Sequence, residues 1–140
     1  MTLTKRRLTT TVSLVGSAFS KVPDNFFTDW IPDMVVLRCE DASEALRMAS
    51  RRAVDDWFIQ TQLPDQSGFD CIEMLQDLHA SSRYFLFSPE YSDSEERRAF
   101  LRARTRYFSL PLTDLLVRQL LQPLPVQNTA ESDTELRVVS

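Results

Sequence analysis

Five short apolar or β-branched runs, each followed by a helical pattern, fill the chain from Thr11 to Leu121, and this alternation leaves few folds open. The runs are Thr11 to Gly16, Asp33 to Cys39, Asp55 to Gln60, Arg83 to Phe87 and Thr105 to Ser109. Ala42, Ala45, Leu46 and Ala49 recur at helical spacing between Glu40 and Arg52, and Phe69, Ile72, Leu75 and Leu78 do so between Gly68 and His79. Ser92-Asp93-Ser94-Glu95 has the form of a capping box and opens a strongly charged helix to about Ala103. Pro111 and Thr113 lead into a last helix with Leu116, Val117, Leu120 and Leu121 inward. Pro23, Phe26, Phe27 and Trp30 mark a short first helix between Ser20 and Trp30. Strands alternating with helices predict a parallel sheet with crossover helices. The fold class is therefore α/β: a doubly wound, flavodoxin-like (βα)5 domain whose five-stranded parallel sheet has the order 2-1-3-4-5.

A chain of 140 residues is one domain's worth, long enough for a hydrophobic core without staples. Its composition, 43% hydrophobic and 26% charged with a net charge of −4, carries no bulk attraction to nucleic acid or anionic membranes. Residues 1–10 form a polar, basic arm with Lys5, Arg6 and Arg7. The run from Val12 to Phe19 is interrupted by Ser13, Gly16 and Ser17, too short and too polar for a signal peptide or membrane span. Residues 122–140 lack a periodic apolar face and read as a flexible tail after the domain at 11–121. Cys39 and Cys71 have no second Cys or His at metal-ligand spacing and read as reduced, partly buried small hydrophobes of a cytoplasmic protein, with a disulfide between them the alternative. His79, the single histidine, suits a helix C-terminus. Gly16 and Gly68 are the only glycines, so no Gly-rich phosphate loop is present.

The segment Trp57-Phe58-Ile59-Gln60-Thr61-Gln62-Leu63-Pro64-Asp65-Gln66-Ser67-Gly68-Phe69-Asp70 reads as a buried strand, a tight loop and a helix start. It resembles the third strand and following loop of bacterial response-regulator receiver domains, the CheY-like family, and the resemblance extends over roughly residues 10 to 121. In that family the residue four before the loop proline is the aspartate that accepts a phosphoryl group, and here it is Gln60. A carboxamide is neutral and its oxygen is no phosphoryl nucleophile.

The resemblance also implies two acidic Mg²⁺ ligands after the first strand, a hydroxyl ending the fourth, and a lysine before a proline after the fifth. Ser17 and Ala18 (or Gly16 and Ser17) occupy the acidic positions and offer no carboxylate, so no metal and no cofactor is expected. Ser88 matches the hydroxyl, Leu110 stands at the lysine position before Pro111, and Tyr107 matches the switch aromatic. Every charged member of the phosphorylation site is replaced, while the hydroxyl, the aromatic and the proline remain. Four charged groups crowded together without metal or phosphate are costly, so their joint loss is coherent. Asp55 and Asp56 lie at the entry of the third strand, far from this edge, and read as solvated, while Asp65 after Pro64 suits turn chemistry.

Arg97, Arg98, Arg102, Arg104 and Arg106 cluster on the fourth helix and fifth strand. They read as a solvated helix, acidic at its start and basic near its end as the helix dipole prefers, or, since receivers generally use the fourth helix, fifth strand and fifth helix to dimerise or grip targets, as the candidate face for a protein partner or a homodimer. Direct nucleic-acid binding is disfavoured, because the patch lacks a reading helix. With only a short tail after Leu121, the expectation is a stand-alone pseudo-receiver, not an enzyme. It would act in bacterial signalling through protein contacts, independently of phosphorylation. The alternatives are a small-ligand sensor using the vacated pocket and a receiver phosphorylated at a non-standard residue such as Ser88.

Overall fold

The computed structural model of the chain describes residues 10–23, 25–28 and 33–121. The readings for the basic arm up to residue 9, for Trp30 and for the tail at 122–140 lie outside the described residues. Five parallel strands, β1 (Thr11–Val15), β2 (Val35–Cys39), β3 (Asp56–Gln60), β4 (Arg83–Ser88) and β5 (Thr105–Ser109), pair in the order β2-β1-β3-β4-β5, as the sequence predicts. The register sets Val15 beside Cys39 and Ile59, Gln60 beside Phe87, and Ser88 beside Ser109. All strand C-termini thus share one edge, where ligands of open α/β sheets bind.

Helices α1 (Asn25–Thr28), α2 (Ala42–Ala49), α3 (Gly68–Leu78), α4 (Asp93–Phe100) and α5 (Asp114–Leu121) cover the two faces. Successive residues of a strand point to opposite faces, so β3 sends Trp57 and Ile59 into one core and Phe58 into the other. The first core packs Trp57, Tyr84, Ile72 and Leu75 under α2, α3 and α4. The second is built on phenylalanine under α1 and α5: Phe58 stacks on Phe87 at 5.4 Å and meets Phe27 edge-on at 5.7 Å. Truncating such a ring to alanine costs about 3–5 kcal/mol.

Three helix starts are capped, α4 by the Ser92 that its sequence suggests. Asp41, Ser67 and Ser92 accept the backbone N–H three residues on, at 2.9, 3.1 and 3.3 Å. The ends come earlier than expected. The N–H groups of Arg51 and Arg52 both turn back to the Met48 carbonyl, which ends α2 at Ala49, and α4 stops at Phe100.

Two readings are corrected. Leu78 is 53% exposed. The inward stripe of α3 runs Gly68, Cys71, Ile72, Leu75, and at about 100° per residue its next member is position 79. His79 takes that place, donating from Nε2 to the Ala49 carbonyl at 2.6 Å beside Trp57. Asp56 is not solvated: it is 1% exposed and meets Arg83 through two hydrogen bonds of 2.7 and 3.1 Å. Parallel pairing sets it between Val12 and Arg83, inside the sheet and away from solvent. Cys39 and Cys71 are free and buried, and burial pushes the Cys71 thiol up to about 12.

Candidate functional site

The last residue of β3, Gln60, organises the C-terminal edge. Its Oε1 accepts the Ala18 N–H at 2.9 Å and its Nε2 donates to the Gln62 carbonyl at 3.0 Å. Both ends of the carboxamide are therefore satisfied by backbone. A carboxylate could accept from Ala18, but it has no hydrogen to offer Gln62, so this geometry selects an amide.

Two turns make the fit possible. After β1 the chain passes through Gly16 at φ +123° and ψ 155°, a region open to glycine alone, into a single 3₁₀ turn, Ser17–Phe19. Ser17 and Ala18 are exposed there, while Phe19 drops into the phenylalanine core. On the other side, the loop after β3 closes through a Gln62–Ser67 bridge and a 2.7 Å bond from the Gly68 N–H to the Thr61 carbonyl. Asp65 at its tip does more than turn the chain. Its carboxylate accepts from the N–H groups of Ala42 and Ser43, each at 3.0 Å, clasping the loop to the N-terminus of α2. The Ala42 and Ser43 bonds hold this carboxyl below its ordinary range. Sequence reasoning missed this clasp because its partners are more than twenty residues away.

The remaining positions follow around the edge. Ser88 ends β4, is 4% exposed, and donates from Oγ to the Glu90 carbonyl at 2.6 Å. Leu110 packs against the phenylalanine core, and its bond to Pro111 is cis. Tyr107 donates its hydroxyl to Glu95 Oε1 at 2.6 Å and accepts the Ser92 N–H at 3.0 Å. It is thereby tied to the start of α4. Its desolvation and the Glu95 bond raise the phenol's pKa. Among the described residues no three His, Cys, Asp or Glu side chains stand where they could share a metal ion. Two shallow cavities flank Gln60, one of about 470 Å³ beside Gly16, Ser17 and Glu40, and one of about 370 Å³ between Thr61, Ser88 and Glu95.

Four of the five arginines are engaged by separate partners. Arg98 lies over the Phe69 ring at 4.1 Å, and Arg102 reaches Glu73 of α3 at 3.6 Å. Arg104 donates to the Ser82 carbonyl at 3.0 Å, and Arg106 lies over Phe108, on the α5 side, at 5.2 Å. Arg97 alone stays exposed without such a contact, next to Phe100 and Leu101 at 84% and 82% exposure. Spacing along α4 showed the charge but not the partners on α3, at Ser82 and on β5.

No protein-family model matches the sequence, and no curated protein does. Solved structures do match. The signal receiver domain of an HD domain-containing protein from Pseudomonas fluorescens has a TM-score of 0.73 at 15% identity, covering 86% of this chain and 90% of its own. Chemotaxis response regulator CheY4 of Vibrio cholerae has 0.67 at 17%, covering 81% and 97%. The CheX-CheY-BeF3-Mg complex from Borrelia burgdorferi has 0.68 at 17%, covering 79% and 84%. Likeness at this level of identity speaks to architecture: the chain has the fold of CheY-like response-regulator receiver domains.

Proposed function

We propose that this chain is an atypical receiver, a non-enzymatic module of bacterial two-component signalling that works through protein contacts without aspartyl phosphorylation. The observation that carries this reading is the Gln60 side chain, tied by the Ala18 N–H and the Gln62 carbonyl where the family has its phosphoacceptor. Phosphoryl transfer needs an anionic oxygen nucleophile and cations to neutralise the developing charge. Gln60, Ser17, Ala18 and Leu110 provide neither. Ser88 is a poor substitute acceptor, since its hydroxyl is buried and engaged with Glu90. Incubation with acetyl phosphate and Mg²⁺ followed by intact-mass measurement tests the reading. An unchanged mass is expected, and a stable phosphoprotein would overturn it.

The partner face is assigned to α4, β5 and α5, with a second copy or another protein as occupant. The structure narrows its probes. Arg98 and Arg102 are engaged with Phe69 and Glu73, so reversing them disturbs α3 packing as well as charge. Arg97 and Arg106, with Phe100 and Leu101, are the better test. The Arg97→Glu/Arg106→Glu variant is expected to lose capture of partners from the native cell. Undiminished capture counts against this face. The cavity of about 470 Å³ beside Ser17 supports the second reading, a small-ligand sensor. A thermal shift produced by a ligand and removed by Ser17→Trp would favour it.

A further inference from the structure

A different part of the molecule carries unspent binding capacity. Between β2, an edge strand of the sheet, and α2 runs a groove of about 480 Å³. Its floor is apolar and soft: Leu37, Cys39 and Met48, with the two sulfur atoms 3.7 Å apart. Arg47, Arg51 and Arg52 rise along one side, all exposed, and none makes a side-chain hydrogen bond or ion pair among the described residues. Arg38 also borders the groove, but its guanidinium is spent on the Phe19 and Val22 carbonyls. At the opposite end sits Glu44, whose Oε1 accepts the Glu40 N–H at 2.6 Å.

A helix C-terminus favours one cation in its last turn, which accounts for Arg47. It does not account for three unpaired guanidiniums lining one concave surface with a single carboxylate. Guanidinium forks match phosphate oxygens two at a time, and they are the preferred side chains for phosphate recognition. We propose that this groove binds a nucleoside diphosphate or triphosphate, its phosphates on Arg47, Arg51 and Arg52 and its base on the Leu37–Cys39–Met48 floor.

The dimensions and polarity of the groove agree with that ligand. Small-molecule sites span about 300–1,000 Å³. A rise of about 1.5 Å per residue separates Glu44 from Ala49, the last residue of α2, by roughly 7.5 Å, and Arg51 and Arg52 lie beyond that end, so acid and arginines stand at opposite ends of the groove. Glu44 can accept from an exocyclic amino group of the base at its end. The Met48 thioether presents a polarizable surface to an aromatic ring, with the buried Cys39 thiol packed beneath it. Burial raises the Cys39 pKa, which keeps the floor neutral beneath the ring. An oligoglutamate peptide would use the arginines but has no flat aromatic group for the sulfur floor. The inference stands apart from the pseudo-receiver reading because its phosphate-binding residues, Arg47, Arg51 and Arg52, line neither cavity beside Gln60, although Cys39 and Glu44 border both this groove and the cavity beside Ser17.

Isothermal titration of the full chain with ADP tests it. Saturable one-site binding is expected, with adenosine and inorganic phosphate each at least about tenfold weaker, a difference of about 1.4 kcal/mol. Arg47→Ser/Arg51→Ser/Arg52→Ser is expected to abolish binding, and each single change to weaken it several-fold. These side chains are exposed, and an unchanged thermal melt of the variants verifies folding. The Arg97→Ser/Arg106→Ser variant, with two positive charges removed elsewhere, is expected to bind as before, whereas Arg51→Ser/Arg52→Ser, with the same two charges removed in the groove, is expected to lose most of the binding. Absence of saturable binding at millimolar ADP, undiminished binding by the triple variant, or equal loss in the control variant would each overturn the proposal. So would inorganic phosphate or an oligoglutamate peptide binding as tightly as ADP.

Discussion

A Cβ on Gly68 would stand 2.3 Å from the carbonyl oxygen of Gln60, closer than any side chain can approach. Gly16 faces the same residue from the other side, its would-be Cβ 2.5 Å from Gln60 Oε1 and 2.8 Å from Gln60 Cβ. The two glycines of the chain thus grip one glutamine. Overpacking costs about 1–3 kcal/mol, and a non-glycine residue at the Gly16 backbone angles adds about 1–3 kcal/mol of strain. Gly16→Ala and Gly68→Ala are both expected to lower the urea midpoint. Combined with Gln60→Gly, the Gly16 variant regains the steric part of its loss. The Gly68 variant does not, because its clash is with backbone. Equal rescue of both in a double-mutant cycle would contradict this geometry.

Gln60→Asp is expected to leave the protein unphosphorylated by acetyl phosphate and Mg²⁺. The carboxylate regains the nucleophile, but Ser17, Ala18 and Leu110 still provide no metal ligand and no cation. The variant also loses the donor that meets the Gln62 carbonyl. A lower melting temperature with unchanged intact mass is the expected pair of results, and a phosphoryl adduct would refute the account.

The Asp56–Arg83 pair is lopsided. The Asp56 side chain is 2% exposed and that of Arg83 is 38% exposed. Arg83→Met leaves a buried carboxylate alone and is expected to cost about 3–5 kcal/mol, whereas Asp56→Asn leaves a cation that water can reach and costs less. Burial raises the Asp56 pKa, and the Arg83 bond and charge oppose the rise. With the arginine gone the folded pKa climbs further above the unfolded value near 3.9. Between those two values the native state holds more protons than the unfolded one, so acidification stabilises. The deficit of Arg83→Met relative to wild type should therefore shrink between pH 7 and pH 5 in urea titrations. A deficit that grows on acidification has the wrong sign.

Alkali should unfold the protein through its tyrosines. Burial pushes the Tyr84 phenol, which donates to the His79 carbonyl, up to about 12. Tyr107 is also raised, by desolvation and by Glu95. Tyr91 is raised by its bond to Glu96 but is 54% exposed, so water screens its share. A phenol whose folded pKa lies above the unfolded value near 10 stabilises below that value, and the contribution disappears as pH rises toward the folded pKa. Ultraviolet titration should show at most one of the three tyrosines ionising near pH 10 in the native protein. The others should appear together with the loss of near-ultraviolet circular dichroism. Three ordinary phenols would contradict the packing of Tyr84 and Tyr107.

Strand order and helix positions were legible in the chain because they depend on local pattern. β-branched runs, helical spacing and the capping residue Ser92 each act over a few residues. Leu63-Pro64-Asp65 and Ser67-Gly68 likewise announced a tight loop after β3, and the β1–β3 register then brought Gln60 within reach of Ala18. Where sequence distance exceeds a turn, pattern fails. Asp56 looked solvated until β4 set Arg83 beside it, and Asp65 looked like a turn residue until α2 offered two amides. The partners of the arginines on α4 and β5 were equally hidden: Phe69, Glu73 and Phe108 engage Arg98, Arg102 and Arg106 only once the chain is folded.

Local pattern was enough to specify a receiver-like sheet and a neutral residue at the end of its third strand, since backbone propensity and side-chain chemistry travel with the chain. What that neutral residue does was decided only in three dimensions. Ala18 and Gln62 reach the Gln60 amide from two loops that meet because parallel pairing aligns the ends of β1 and β3. Hydrogen bonds are short-ranged and directional, so they exist only after the sheet has brought donor and acceptor together.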